Sequence, residues 1–268
     1  GVATSADGHV FICDRQNKRV LVLDKDGKIV REIPVLYPDA IALNPNNKTL
    51  YVTTRFGNYA QKGELKILKF NDWSKDTEPT ITIPLCPSGI YTSPSFLAVS
   101  KDKDDVLIWV AYTQLPARIY RDTAKGLDLV KDFYEAGQQR ELDMQHIAVD
   151  PKTENLYIAD GHGYCYQINN WKAPLFTPCM TDEKTWLKAV GLEIDIRNRF
   201  LYCYPPEKYG TRISRYKLDE KFITPSPLNN SSKNEFSPGV SIDWNIGLGY
   251  GVRGLGVAPD GGLATLSV

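Results

Sequence analysis

Apolar positions along the chain come in short runs that alternate with polar ones, and clusters of Asp, Asn, Gly, Pro and Lys break the runs every few residues, as expected of strands joined by tight turns. One unit recurs from end to end: an apolar strand, a polar turn, and a second apolar strand ending at a small or polar residue. Its copies are residues 1–14, turning at Asp7-Gly8-His9; 40–53, turning at Asn44-Pro45-Asn46-Asn47; 96–110; 146–160; 190–204; and 254–266, turning at Asp260-Gly261-Gly262. Behind the first copy, residues 19–24 and 28–33 read as a third and a fourth strand joined at Lys25-Asp26-Gly27. Third strands recur at 65–70, 118–120, 164–168 and 212–216. Copies start roughly 40 to 65 residues apart, which fits propeller blades separated by loops of variable length. A lone sheet of four short strands is unstable in water, so repetition predicts stacking of blades around an axis.

The pattern therefore predicts an all-β fold with almost no helix: a six-bladed β-propeller of four-stranded antiparallel blades forming one domain over residues 1–268. The expected blades span about 1–35, 39–86, 94–136, 145–180 and 189–228, followed by an insertion at 229–251 and a partial sixth blade at about 252–268. That last hairpin has no third or fourth strand after it, so the final blade is expected to be incomplete in this chain and the chain to be a fragment. The other reading is that the insertion covers the open edge, with residues 240–244 pairing as a strand.

Charge narrows the partners. Lys plus Arg and Asp plus Glu both number 32, and this balance argues against a strong nucleic-acid footprint. No apolar run approaches the ~18 residues of a membrane-spanning helix, and residues 1–10 lack a basic region followed by an apolar one. The compartment stays open between a soluble, a secreted and a cell-envelope setting, and the Asn47-Lys48-Thr49 and Asn230-Ser231-Ser232 sequons matter only in a secreted eukaryotic protein. None of the five cysteines forms a C-x-x-C pair. Cys13, Cys165 and Cys203 lie in expected strands as small core residues, whereas Cys86 and Cys179 fall in expected loops where they could pair.

The stretch Asp7-Gly8-His9-Val10-Phe11-Ile12-Cys13-Asp14-Arg15-Gln16-Asn17-Lys18-Arg19-Val20 resembles an NHL repeat, whose usual form is an apolar strand, D-G, an apolar strand and D-x-x-N-x-R-V. Asp150-Pro151 with Leu156-Tyr157-Ile158-Ala159-Asp160-Gly161 keeps half of that motif, and the other copies keep its apolar skeleton. The chain is thus similar to the NHL-repeat and six-bladed, lactonase- and TolB-like propeller superfamily. The resemblance implies that ligands bind at the face where first strands begin and second strands end, and that the Asp closing a second strand ties down the following loop.

On that face the sequence places Asp14, Arg15, Asp39, Arg55, Tyr59, Gln114, Gln145, His146, Asp160, His162, Lys188, Tyr204 and Arg253. The ligand-binding candidates among them are Arg55, Tyr59, Gln145, His146, Lys188, Tyr204 and Arg253. His146, Asp160 and His162 meet at one end of a single hairpin, which makes them candidate ligands for a divalent metal, calcium or zinc; no other cofactor is expected. Two functions stay open. One is a noncatalytic binding or scaffolding propeller whose partner is a protein or a small-molecule or carbohydrate ligand. The other is a metal-dependent hydrolase or lyase of the lactonase-like or amidating-lyase-like kind, although no Glu near Gly1 matches the lactonase pattern and only one blade offers histidines.

Overall fold

A computed structural model describes residues 1–58, 61–85, 90–91, 95–102, 104–112, 115–132, 144–150, 152–153, 155–160, 163–168, 172, 176–180, 186–189, 191–195, 199–204, 212–218, 224–225, 242–243, 252–257 and 263–267. Among these residues the regular structure is all strand. The fold is an all-β propeller of antiparallel blades, and the chain divides into two compact units, 1–144 and 145–268.

The first unit holds three blades. β1 (Val2–Thr4), β2 (Val10–Asp14), β3 (Arg19–Leu23) and β4 (Ile29–Pro34) pair in chain order. β5 (Pro38–Leu43), β6 (Leu50–Asn58), β7 (Gln61–Phe70) and β8 (Ile81–Pro84) form the second blade, with the short β9 (Ile90–Tyr91) added to β7. β10 (Ser95–Asp102), β11 (Asp105–Tyr112), β12 (Leu115–Thr123) and β13 (Gly126–Asp132) form the third.

The second unit repeats the plan. β14 (Met144–Val149), β15 (Leu156–Asp160), β16 (Cys165–Ile168) and β17 (Phe176–Pro178) make one blade. β18 (Gly191–Asp195), β19 (Phe200–Tyr204), β20 (Arg212–Lys217) and β21 (Thr224–Pro225) make the next. β22 (Ile242–Asp243) pairs with β20, at Arg212↔Asp243 and Ile213↔Ile242. The insertion thus lends its strand to the third strand of the preceding blade. β23 (Val252–Val257) and β24 (Leu263–Ser267) form a hairpin of their own.

Position within a blade decides burial. In β2 and β3 every second side chain is buried, namely Phe11 and Cys13, then Val20 and Val22. β15 is buried at every position from Leu156 to Asp160. The outer β4 buries only Ile33. In the first unit the first strands lie side by side, with β5 beside β1 and β10. Gly1 is in contact with the backbone of Asp39 and Ala40, and an added Cβ would come within 2.8 Å of Asp39 O.

Within each unit, neighbouring four-stranded blades enclose cores of their own. Phe11, Val20, Val22 and Ile33 meet Leu50, Val52, Phe70 and Trp73 between the first and second blades. Tyr51, Leu65 and Ile67 meet Ile108, Val110 and Tyr120 between the second and third. In the second unit, Tyr157, Cys165, Cys179 and Leu187 meet Leu192, Leu201, Cys203 and Tyr216. Cys179 is therefore a buried free thiol in a core; Cys86, the partner weighed for it from the sequence, lies outside the described residues. Burial pushes the Cys165 and Cys203 thiols up, away from the reactive thiolate.

Polar ties accompany these cores. Asp122 on β12 accepts hydrogen bonds from Lys69 Nζ and from Tyr51 Oη, joining the second and third blades. Asp150 accepts Arg199 through both carboxylate oxygens, joining the two four-stranded blades of the second unit. Burial alone would raise the Asp150 carboxyl, but the bonds from Arg199, Thr153 and the Lys152 amide outweigh it and hold it below the usual carboxylate range.

Candidate functional site

Several side chains at the blade turns have a purely local task. Asp14 accepts Asn17 Nδ2 at 2.9 Å and Arg19 Nε at 2.8 Å, and Arg19 Nη1 reaches Glu32 at 2.7 Å. Asp, Asn and Arg at this spacing therefore close the turn between β2 and β3, and the NHL-like motif is spent on structure. Asp160 does the same after β15: its Oδ1 accepts the Tyr164 amide at 2.7 Å while its carbonyl accepts Gly163 N at 3.0 Å. The opposite turns are closed alike. Asp24 Oδ1 accepts the amides of Asp26 and Lys28, Gly27 takes φ 79°, and Asn44 Oδ1 accepts Asn46 N at 3.0 Å.

The first unit also holds an assembly drawn from three blades. Arg15 follows β2, Asp39 lies at the start of β5, Arg55 is near the end of β6, and Ser95 opens β10. Asp39 Oδ1 accepts Arg55 Nε at 3.1 Å and Arg15 Nη1 at 3.4 Å. Its Oδ2 accepts both the amide and the hydroxyl of Ser95 at 2.7 Å. Thr53 Oγ1 lies 2.6 Å from Ser95 Oγ and accepts the Ala40 amide at 2.9 Å, so a buried hydroxyl pair sits beneath the carboxylate. Burial, and then the charge of Arg55, lower Arg15 from the usual guanidinium value; two cations are held against one anion.

Aromatic rings flank these charges. Tyr37, just before β5, adopts φ 55°, a left-handed conformation that a bulky residue rarely takes unless its surroundings enforce it. Its carbonyl accepts the Arg55 amide at 3.0 Å, and its ring meets Phe56 at 5.2 Å. Arg15 and Lys18 approach the same ring at 5.9 and 5.7 Å. Phe56 and Leu36 are exposed, at 54% and 66%.

The structure thus brings together Arg15, Asp39 and Arg55, which the sequence assigned to one face. It adds Tyr37, Thr53, Phe56 and Ser95, which sequence reasoning missed. A Tyr before a Pro carries no visible sign of a left-handed backbone, and Thr and Ser in strands read as ordinary β-formers. Tyr59 and Gln114 lie outside the described residues.

In the second unit, His146 on β14 is partly buried, and its Nδ1 accepts the Leu192 amide of β18 at 3.3 Å. Burial lowers its pKa to about 4, so the ring is neutral at pH 7 and carries its proton on Nε2. Glu193, which the sequence did not single out, is partly buried on β18, and burial raises its carboxyl to about 8. Lys188 is exposed and forms a β-bridge with Tyr164, whose ring packs on Trp186 at 5.0 Å. Lys188 and Asp160 therefore both flank Tyr164. Gln145, Tyr204 and Arg253 occupy β14, β19 and β23, and nothing of their side chains is described; His162 lies outside the described residues. Among the described residues no group of three or more His, Cys, Asp and Glu side chains is placed to hold a metal ion. Compared with known proteins, the chain matches no family model and no curated protein.

Proposed function

We propose that this chain is a noncatalytic recognition module, an NHL-like, six-bladed propeller that binds a ligand or a partner protein where first strands begin and second strands end. The observation that carries the reading is the Arg15–Asp39–Arg55 assembly with the half-buried Tyr37 ring against the exposed Phe56. Two blades supply it, Ser95 of a third braces Asp39, and packed strands hold it in place, which is how a rigid scaffold presents unusual side chains for binding. Gln145, His146, Lys188, Tyr204 and Arg253 would serve the same role within the second unit. The metal-dependent hydrolase or lyase reading depends on His146, Asp160 and His162. It gains no specific support, since Asp160 Oδ1 is taken by the Tyr164 amide and His146 Nδ1 by the Leu192 amide.

The test is a thermal-shift screen of metabolites and short peptides against the full chain, Arg15→Ala, Phe56→Ala, and the opposite-turn variants Asp7→Ala and Asn46→Ala. Hits are expected to be lost in the first two variants and kept in the others. Hits lost only in Asp7→Ala or Asn46→Ala would reject this face.

A further inference from the structure

We infer that Cys165 and Cys179 form a site of oxidative cross-linking, where a low-molecular-weight disulfide such as oxidised glutathione turns the two thiols into a disulfide that fastens β17 to β16. The register places them. Tyr166 pairs with Pro178, Gln167 with Thr177 and Ile168 with Phe176, so one step further along the ladder sets Cys165 opposite Cys179. The Cys179 amide donates to the Cys165 carbonyl at 2.9 Å, which carries the pairing to that step. Residues directly opposite in an antiparallel pair have Cα atoms about 4.5–5.5 Å apart and side chains on one face. A disulfide spans Cα atoms about 4.4–6.8 Å apart, so the separation that the ladder imposes suits the bond.

A third segment locks the arrangement. The Cys165 amide donates to the Leu187 carbonyl at 3.0 Å and the Leu187 amide to the Cys179 carbonyl at 2.7 Å, so backbone bonds run in a ring through Cys165, Leu187 and Cys179. The side chains agree with the backbone: both cysteines are free and lie in one core, and the Cys165 thiol has that of Cys179 as a hydrogen-bond partner. Cys203, the other thiol of that core, comes from β19 of the next blade and is hydrogen-bonded to the Tyr216 side chain. Ladder and thiol contact together select Cys179 over Cys203 as the partner of Cys165.

Burial shields both thiols while the blade is closed. The reaction therefore runs through openings of β17, a three-residue strand at the outer edge of its blade, or takes place as the chain folds. Once exposed, Cys179 loses its proton and its sulfur attacks oxidised glutathione, whose S–S bond breaks; one glutathione leaves as thiolate and the other stays as a mixed disulfide. As the strand closes, the Cys165 sulfur gives up its proton, attacks Cys179 Sγ and expels the second glutathione. The pair loses two electrons and two protons, and oxidised glutathione gains them as two thiols.

For the test, the full chain is reduced and then either kept folded or refolded from denaturant, in buffers of rising oxidised-to-reduced glutathione ratio. Remaining thiols are blocked with N-ethylmaleimide in denaturant, and tryptic peptides are mapped without reduction. The cysteines fall in separate peptides, with Cys165 in 153–172, Cys179 in 173–184 and Cys203 in 200–208. The first two peptides should be joined at least about tenfold more often than any other cysteine pair, since thiols held in contact have a far higher effective concentration than separated ones. Dithiothreitol should release them, and Cys203→Ala should leave the link in place. A link formed in the folded chain supports a reversible switch, and one formed only on refolding supports a bond made during folding. Recovery of Cys165 and Cys179 as blocked thiols or glutathione adducts in both arms overturns the assignment, as does an equal yield of Cys165–Cys203 or Cys86–Cys179.

Discussion

At the scale of single residues, His146 and Glu193, both partly buried in the second unit, respond to pH in opposite directions. Burial disfavours charge on each, which raises Glu193 to about 8 and lowers His146 to about 4. For Glu193 the folded chain holds a proton that the unfolded chain releases in the ordinary carboxylate range. Its contribution to stability is therefore complete at acid pH and is lost as pH rises toward about 8. For His146 the unfolded chain takes up the proton first, so stability is lost as pH falls from the ordinary imidazole range through about 4. Glu193→Gln should remove the first dependence. Its melting temperature should exceed that of the wild type at pH 9 and approach it at pH 5, and parallel profiles across that range would contradict the burial of this carboxyl.

At the scale of elements, the D-x-x-N-x-R run is a turn device. Asp14 collects the Asn17 and Arg19 side chains, and Arg19 passes on to Glu32 of β4, so one carboxylate organises the turn between β2 and β3 and the pairing beyond it. These groups are close to solvent, which limits what each bond contributes. Asp14→Ala is expected to cost about 1–2 kcal/mol, the range for losing charge-assisted hydrogen bonds at a partly exposed site, as measured by urea unfolding. It should also leave the thermal-shift hits that depend on Arg15 intact, because the bonds of Asp39 run to Arg15, Arg55 and Ser95. A loss of binding equal to that of Arg15→Ala would mean that the turn and the site are one structure.

At the scale of the whole chain, each unit carries a buried charged tie between neighbouring blades: Lys69 and Tyr51 on Asp122 in the first, Arg199 on Asp150 in the second. Removing the carboxylate takes a charged partner from a cation that sits in a buried place. Asp122→Ala and Asp150→Ala should therefore each cost about 3–5 kcal/mol, well above the surface variant Asp14→Ala. Denaturant midpoints of the three variants check the order, and an Asp150→Ala midpoint no lower than that of Asp14→Ala would show the tie to be dispensable.

Much of this architecture was legible in the chain because strand structure has a short period. Alternation in β2 and β3, and the punctuation at Asp7-Gly8 and Asp26-Gly27, depend on neighbours one to four residues apart, so they can be read without knowing what packs where. The resemblance to NHL repeats pointed to Asp160 as the residue that ties down the loop after β15, and strand patterning put Cys13, Cys165 and Cys203 in cores. The pairing of β22 with β20 was not legible, since two residues carry too little pattern to name a partner. The site was half legible: Arg15, Asp39 and Arg55 could be assigned to one face from their places at strand ends, but not to one another. Tertiary structure alone decided that Ser95, 56 residues further along the chain, would fill one oxygen of Asp39 and leave two arginines to share the other. That outcome depends on how three blades pack, because a hydrogen bond between distant residues is fixed by the cores that bring them together and leaves no periodic mark in the sequence.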